Sequence, residues 1–272
     1  ITGATSGIGQ IAASRLAAAG ARLVLVARDR GRADKLLAHL RERGPNQAHR
    51  AHIADLSLLA EMKRVGSEIA AAEPRVDVLI NNAGNLFGRR ELTQDRLERT
   101  FATNHVAYYV LTLLLRDRLV AGAPARIVNT ASAAHRGEKL DFDDLQCAKV
   151  YRPQSVYGRS KLCNILFTRA LARRLAGTGV TVNCLHPGFV RTNLGQRNSG
   201  LFATLLRVVF RFGGPPERGA NTIVYLATSP AVAEVSGGYF IDCRQATPSA
   251  QARDNASAER LWIATARLTG IG

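Results

Sequence analysis

Short apolar runs alternate with longer segments of helical periodicity along almost the whole chain. The apolar runs predict strands at residues 1–2, 22–27, 49–53, 76–81, 125–130, 181–186 and 238–241. The segments between them repeat apolar positions at helical spacing and predict helices at residues 9–19, 30–43, 58–71, 95–119 (in two pieces), 155–176 and 216–227. Strands and helices in this order are typical of a parallel sheet with helices on both faces. We therefore predict an α/β fold with a doubly wound sheet of about seven strands.

The length of the chain fits a single domain over residues 1–272. A chain of this length can bury one large core, and neither an interdomain linker nor an internal repeat interrupts the pattern. In a doubly wound sheet, ligands bind at the carboxyl ends of the strands, so the side chains that follow each strand are the candidates for chemistry. Two segments, 133–154 and 191–214, are longer than ordinary connections and are candidates for functional loops.

The net charge of +16 raises the question of a nucleic-acid partner. Basic residues are scattered through every segment and form neither a block nor a helical stripe, so no nucleic-acid function is indicated. No apolar run approaches the roughly 20 residues of a membrane span. The most apolar stretch, 201–212, is interrupted by Arg207.

The four cysteines show neither a C-x-x-C pair nor the spacing of a metal site. We expect reduced thiols in a cytoplasmic protein, with no disulfide and no metal. The chain begins with Ile1 where a first strand should already be ending, without an initiator Met or a signal peptide, which indicates that the sequence is a fragment.

A glycine-rich turn follows the first predicted strand and opens the first helix. Glycines let the backbone approach a pyrophosphate, and the free N–H groups at a helix start can bind its charge. The spacing is G-x-x-x-G-x-G, which differs from the G-x-G-x-x-G dinucleotide fingerprint, so a plain strand-to-helix turn is the alternative. The candidate cofactor residues in this turn are Gly3, Thr5, Ser6, Gly7, Ile8 and Gly9.

The residues after the second predicted strand bear on the choice between NADP and NAD. Dinucleotide folds place an acid there for the ribose hydroxyls of NAD, or a basic residue for the 2′-phosphate of NADP. The acidic position falls on Ala27 and the next residue is Arg28, which favours NADP. A strand boundary two residues later would make Asp29 the ribose acid and favour NAD. After the third strand, Asp55 and Leu56 are placed to meet an adenine, although Asp55 is equally suited to cap a helix.

Polar residues also follow the fourth and fifth predicted strands. Residues 81–84, with the sequence Asn-Asn-Ala-Gly, end the fourth strand where a nicotinamide ribose would lie, although a turn alone also explains them. Asn104 lies in an apolar helical segment, where a buried amide either satisfies a neighbouring group or opens the helical ladder locally. Ser132 ends the fifth strand at the same edge of the sheet.

Tyr157 and Lys161 are four residues apart in a predicted helix and therefore share one face. A phenol has a pKa of about 10, and a nearby cation favours the phenolate. At roughly 4 Å and an effective dielectric constant of about 20, the attraction is on the order of 4 kcal/mol, or up to about three pKa units. We expect this pair to lower the pKa of Tyr157 toward neutral, although Tyr-x-x-x-Lys also recurs by chance on solvated helices.

Taken together, these motifs resemble the short-chain dehydrogenase/reductase family over essentially the whole chain. The matching residues are the glycines Gly3, Gly7 and Gly9, residues 81–84, Asn104, Ser132, Tyr157 with Lys161, and His186-Pro187-Gly188 followed by Thr192. Residues 128–135, 141–145, 160–167 and 261–262 are similar to the retinol dehydrogenase and WW-domain oxidoreductase branch. The pair Thr130-Ala131 departs from the Val-Ser that is usual before the catalytic serine.

The resemblance implies a Rossmann-type oxidoreductase that uses NADP(H), with NAD(H) as the alternative, to interconvert a carbonyl and an alcohol on a lipophilic substrate. It implies that Tyr157 is the general acid and base, that Ser132 binds the carbonyl oxygen and that Lys161 holds the nicotinamide ribose. Asn104 would anchor a water for proton transfer, and Thr192 would bind the carboxamide. The other implied cofactor contacts are Asn82, Ala83, Gly84, Pro187, Gly188 and Val190.

The segment 191–214 lies where this family places its substrate lid. Its apolar part, 201–212, would contact a hydrophobic substrate or a membrane surface if exposed, and packing on the core is the alternative. Two other functions stay open: a non-catalytic sensor of the NADPH/NADP ratio, and a C=C reductase on the same fold. The resemblance also implies that a homo-oligomer is one option.

Overall fold

A parallel sheet runs through the molecule with helices on both faces, in a computed structural model that describes residues 1–46, 48–190, 195, 204 and 211–272. Its strands are β1 (Val24–Ala27), β2 (Arg50–Ile53), β3 (Val78–Asn81), β4 (Ala125–Thr130), β5 (Val180–His186), β6 (Tyr239–Ile241) and β7 (Arg244–Gln245). Its helices are α1 (Gly7–Ala18), α2 (Arg30–Arg43), α3 (Leu59–Ala72), α4 (Arg99–Phe101), α5 (Ala107–Leu114), α6 (Arg116–Ala121), α7 (Pro153–Arg174), α8 (Pro216–Thr228), α9 (Ala250–Arg253) and α10 (Asn255–Thr269).

The start of the chain joins the two parts of the sheet. Thr2 pairs in parallel with Val26 of β1, and its N–H donates to the carbonyl of Ile80 in β3 at 3.0 Å. The strand order is therefore β2, β1, residues 1–2, β3, β4, β5, β6 and β7, and among these described strands only β7 runs antiparallel to its neighbour. This order confirms the predicted doubly wound fold and places its switch point beside the glycine-rich turn.

Neighbouring residues on each central strand point to opposite faces of the sheet and separate two cores. Leu79 of β3 and Ile127 of β4 pack in the core that α3, α5 and α7 cover. Ile80 and Val128, one position later on the same strands, pack in the core that α1, α2 and α8 cover. Burial on both faces explains why these strands read as continuous apolar runs.

Most predicted elements lie within two residues of those observed, and two differ. The predicted strand at residues 1–2 forms only a single bridge. The predicted helix at 95–119 consists of α4, a π-helical turn at Ala102–Val106, α5 and α6. The strand β7 and the helices α9 and α10 were not predicted at all.

Candidate active site

A cleft of about 940 Å³ opens at the carboxyl ends of the strands. The predicted site residues that line it are Gly3, Thr5, Ser6, Gly7, Ile8, Arg28, Asp55, Leu56, Asn82, Ala83, Gly84, Ser132, Tyr157, Lys161, Pro187, Gly188 and Val190. Gly9 and Asn104 are buried next to this lining without being part of it. Thr192 lies outside the described residues. The topology thus brings segments from most of the chain to one edge of the sheet.

The glycine-rich turn forms a cradle that fits a pyrophosphate. Gly3 and Gly7 adopt positive φ angles of 65° and 55°. A Cβ on Gly7 would point into open space, whereas a Cβ on Gly9 would lie 2.3 Å from the Gly3 carbonyl oxygen, so Gly9 serves the packing of α1 on the turn. Ser6 makes no side-chain cap to α1, which leaves the first N–H groups of the helix available to an anion.

Asn82 braces this turn. Its Nδ2 donates to the carbonyl oxygens of Thr2 and Gly3, both at 3.2 Å. The N–H groups of Asn82 and Ala83 donate to the Thr2 hydroxyl at 2.9 Å, and the Thr130 hydroxyl donates to Asn82 Oδ1 at 3.3 Å. The Asn82 side chain therefore has a structural role, as the turn interpretation of this motif expects. It ties β3 and β4 to the glycine-rich turn.

Three residues after β1 line one end of the cleft: Arg28, Asp29 and Arg32. Asp29 Oδ1 accepts the N–H of Arg32 at 2.8 Å and caps α2. Asp29 therefore uses one carboxylate oxygen to cap the helix start, and both arginine residues are exposed. Arg32 was missed by the sequence reasoning, although its place three residues after a capping Asp was a usable signal.

Asp55 also uses its carboxylate within the chain. Its Oδ1 accepts from the N–H of Ser57 at 3.0 Å and from the Ser57 hydroxyl at 2.8 Å. The N-cap position of α3 is Leu58, so the alternative that Asp55 caps this helix is wrong. Asp55 instead shapes the turn that brings Leu56 to the cleft.

Lys161 lies beside Tyr157 but bonds elsewhere. Its Nζ is 5.6 Å from the centroid of the Tyr157 ring and donates to the Thr130 carbonyl at 3.0 Å. Burial lowers the pKa of Lys161 to about 7. Burial raises the pKa of Tyr157 to about 12, and a hydrogen bond with Ser132 acts in the opposite direction.

The expectation that Lys161 lowers the pKa of Tyr157 toward neutral is therefore wrong for this arrangement. Low-dielectric surroundings disfavour the phenolate and the ammonium alike, and burial is the largest effect on both pKa values. Tyr157 is consequently a protonated phenol at neutral pH, suited to donate a proton.

Asn104 sits in the π-helical turn at Ala102–Val106 and is fully buried. Its Nδ2 donates to Ser160 Oγ at 2.9 Å, and that hydroxyl donates to the Tyr157 carbonyl at 2.7 Å. The Asn104 amide therefore satisfies buried neighbours, and the helical ladder widens around it. Its role in holding a water stays a prediction.

Ser132 lies two residues after the end of β4 and shapes the turn that follows. Its Oγ accepts the N–H of Ala134 at 3.2 Å and caps a 3₁₀ turn at Ala133–His135. The preceding Thr130 departs from the family pattern, yet it binds Lys161 through its main-chain carbonyl, which any residue supplies. The departure therefore leaves the lysine contact intact.

The family model for short chain dehydrogenases matches residues 1–200. This chain belongs to the short-chain dehydrogenase/reductase family. It is 42% identical over 284 residues to retinol dehydrogenase 14 of Mus musculus, covering 100% of this chain and 85% of that protein. It is 40% identical over 278 residues to retinol dehydrogenase 13 of Homo sapiens, covering 100% and 84%. The predicted resemblance to the retinol dehydrogenase branch is confirmed.

Solved structures of the family share the fold. An uncharacterized protein from Mycobacterium paratuberculosis superposes with a TM-score of 0.79 at 28% identity, covering 99% of this chain and 92% of that chain. An NAD(P)-dependent gluconate 5-dehydrogenase from Beutenbergia cavernae with bound NADP gives a TM-score of 0.70 at 30% identity, covering 89% and 93%. As a short-chain dehydrogenase/reductase, this protein is an oxidoreductase that acts on CH–OH groups with NAD(P).

The other end of the cleft was not predicted from the sequence. The additional residues that line it there are Leu86, Phe87, Arg99, Thr103, Gln154 and Phe189. They follow no periodic pattern and come from loops and helix starts, so only the folded chain brings them together. The predicted lid at 191–214 lies outside the described residues except at positions 195, 204 and 211–214. Among the residues that are described, no helix has the length and apolar character to cross a membrane.

Proposed function

We propose that this short-chain dehydrogenase/reductase uses NADP(H) to interconvert a carbonyl and an alcohol on a lipophilic substrate. The observation that carries the cofactor preference lies after β1, where the exposed Arg28 and Arg32 line the cleft and Asp29 Oδ1 caps α2. Guanidinium groups bind phosphate through charge-assisted hydrogen bonds, which favours a dinucleotide with a 2′-phosphate. A short chain dehydrogenase from Burkholderia cenocepacia, with a TM-score of 0.68, was likewise solved in complex with NADP.

The proposed substrate class follows from the unpredicted end of the cleft. Leu86 and Phe87 are buried in its wall, and Phe189 stands at its edge with 53% of its surface exposed. These three side chains give this end apolar surface for a hydrophobic ligand, beside the polar residues Arg99, Thr103 and Gln154. The curated relatives are named retinol dehydrogenases, and retinol is a hydrophobic alcohol.

In this proposal, Tyr157 transfers the proton and Ser132 binds the substrate oxygen. The bound cofactor would supply hydride to the carbonyl carbon or accept it from the alcohol. In reduction, Tyr157 donates the proton on its Oη to the substrate oxygen, and a phenol with a pKa of about 12 carries that proton at neutral pH. The Ser132 hydroxyl binds the same oxygen as charge develops on it. In oxidation, Tyr157 accepts the proton, which favours higher pH.

The test is turnover with a panel of carbonyl compounds. Consumption of NADPH is followed with retinal, a long-chain aldehyde, a bulky hydrophobic ketone and, as a hydrophilic control, an aldose; each assay is repeated with NADH. We expect turnover with the hydrophobic members and a kcat/KM about tenfold or more higher with NADPH, since charged hydrogen bonds contribute roughly 1.5–3 kcal/mol. Equal use of NADH would contradict the cofactor preference, and preference for the aldose would contradict the substrate class.

A further inference from the structure

His135 is a fully buried imidazole that takes no part in the steps proposed for Tyr157 and Ser132. It ends the 3₁₀ turn at Ala133–His135 and has no exposed surface. Its ring packs edge-on against Tyr239, with the centroids 5.3 Å apart. A buried imidazole needs partners for both nitrogens, and here both are main-chain groups.

The two partners fix which nitrogen carries the proton. Nδ1 lies 2.6 Å from the Ser132 carbonyl oxygen, which can only accept, and Nε2 lies 3.1 Å from the N–H of Ser249, which can only donate. The ring must therefore be neutral with its proton on Nδ1. Burial lowers the pKa of His135, which keeps the ring neutral near pH 7.

The Nδ1–H bond acts on the residue that binds the substrate oxygen. The Ser132 carbonyl also accepts the main-chain N–H of His135 at 3.2 Å, and Ser132 Oγ accepts the N–H of Ala134 at 3.2 Å. The peptide after Ser132 is thus held by two donors from one residue. Rotation of that peptide would break both bonds and disturb the turn that carries the Ser132 hydroxyl.

The other side of the ring is anchored far along the chain. Ser249 caps α9 by accepting the N–H of Ala252 at 3.3 Å. Next to it, the Arg136 guanidinium donates to the Thr247 carbonyl at 3.0 Å. Residues 247–249 lie beyond the part of the chain that the family model matches. The turn of Ser132 is therefore braced by the C-terminal segment.

We propose that His135 is a positioning residue whose Nδ1–H holds the Ser132 turn in its reactive geometry and couples that turn to residues 247–249. Two measurements test this proposal. Kinetics of His135 variants rest on the proposed function, whereas nitrogen-15 spectra of the His135 ring do not. If no carbonyl compound turns over, the proposed function fails, and the tautomer of His135 still decides the structural part of this proposal.

Two conservative variants separate the two sides of the ring. An Asn side chain places an N–H donor near the position of Nδ1, and a Gln side chain places an acceptor near the position of Nε2. His135→Asn therefore keeps the bond to Ser132, and His135→Gln keeps the bond from Ser249. We expect His135→Gln to lower kcat by about tenfold to hundredfold, with KM and NADPH affinity within about threefold, because the loss is one of orientation.

His135→Asn is expected to restore most of the kcat that His135→Gln loses. Equal losses in the two variants would overturn the proposal, since ring packing would then explain both, and so would full kcat in both. For the unaltered protein, nitrogen-15 spectra of the histidines near pH 7 should give a protonated Nδ1 and a bare Nε2 for His135, assigned by correlating each ring with the main chain of the same protein. A protonated Nε2 would overturn the proposal whether or not either variant folds.

Discussion

Asn104 and Asn85 form a reciprocal pair in which the side-chain amide of the first satisfies the main chain of the second. Asn104 Oδ1 accepts the Asn85 N–H at 2.8 Å, and its Nδ2 donates to the Asn85 carbonyl at 2.9 Å. Through Ser160, the same Nδ2 reaches the helix that carries Tyr157. The loop after β3 and the catalytic helix are therefore held by one buried side chain.

Asn104→Asp should test this pair. The acid removes the Nδ2 donor and leaves a carboxylate oxygen facing the Asn85 carbonyl, so we expect a loss of about 1–3 kcal/mol in the free energy of unfolding. Urea unfolding measures it, and kcat should fall as well. Asn255→Asp is the matched control, because Asn255 is exposed and its Oδ1, which the acid retains, accepts from Arg173. Equal effects in the two variants would contradict the role of the pair.

Tyr157→Phe should abolish turnover while the cofactor still binds. The variant loses only the Oη proton, and a positioned acid is worth roughly 10²–10⁴ in rate. We expect kcat to fall by at least about a hundredfold and the NADPH Kd to stay within about threefold. Tyr225→Phe is the control, since Tyr225 packs on Phe240 away from the cleft. Retained turnover would remove Tyr157 from the mechanism.

Apolar periodicity marks α2 clearly and does not mark α10. The bounds of α2 were predicted to the residue, because Ala33, Leu36 and Leu40 mark its buried face. The helix α10 buries Ala258, Leu261, Thr265 and Thr269, so half of its buried face is polar. Thr265 is satisfied by His105, which lies 160 positions earlier and which no local pattern reveals.

Some features of the site could likewise be predicted from the sequence, and others could not. The position of Ser132 after a strand pointed to the site, because the ends of parallel strands meet at one edge. The helical spacing of Tyr157 and Lys161 predicted that they share one face. The direction in which the pKa of Tyr157 shifts was not predictable, because the shift depends on how deeply the folded chain buries the side chain. The tie between His135 and Ser249 joins residues 114 positions apart and was equally hidden.

Arg28→Ala and Arg32→Ala should weaken NADPH binding selectively. Each removes a guanidinium from the end of the cleft, and we expect the Kd for NADPH to rise roughly tenfold or more, with the Kd for NADH changed by less than about threefold. Titration by cofactor fluorescence measures both. Arg30→Ala is the control, because Arg30 is exposed nearby without lining the cleft. A parallel loss of NADH affinity would argue against contact with a 2′-phosphate.

Gly9→Ala should damage the cradle itself. The added Cβ would lie 2.3 Å from the Gly3 carbonyl oxygen and 2.5 Å from Asn82 Nδ2, so the turn must shift. Overpacking of this kind costs typically about 1–3 kcal/mol, and affinity for both NADPH and NADH should fall together. Gly31→Ala is the control, since its nearest contact is an ordinary 3.6 Å in the first turn of α2. An unchanged unfolding midpoint and unchanged affinity would show that the turn tolerates the methyl group.

Lys161→Met should change how stability depends on pH. Burial lowers the pKa of Lys161 from 10.5 to about 7 in the folded protein, so between these values the unfolded chain binds a proton that the folded chain does not. Stability of the unaltered protein therefore rises with pH through this window, and the cost of burying the lysine is largest at and below about pH 7. Relative to the unaltered protein, Lys161→Met should gain most near pH 7 and lose that advantage toward pH 10, on top of a constant loss of the Thr130 bond. Urea midpoints across this pH range measure the trend, and Lys35→Met at an exposed lysine is the control. A stability difference between Lys161→Met and the unaltered protein that stays flat or grows with pH would show that the buried ammonium keeps its charge.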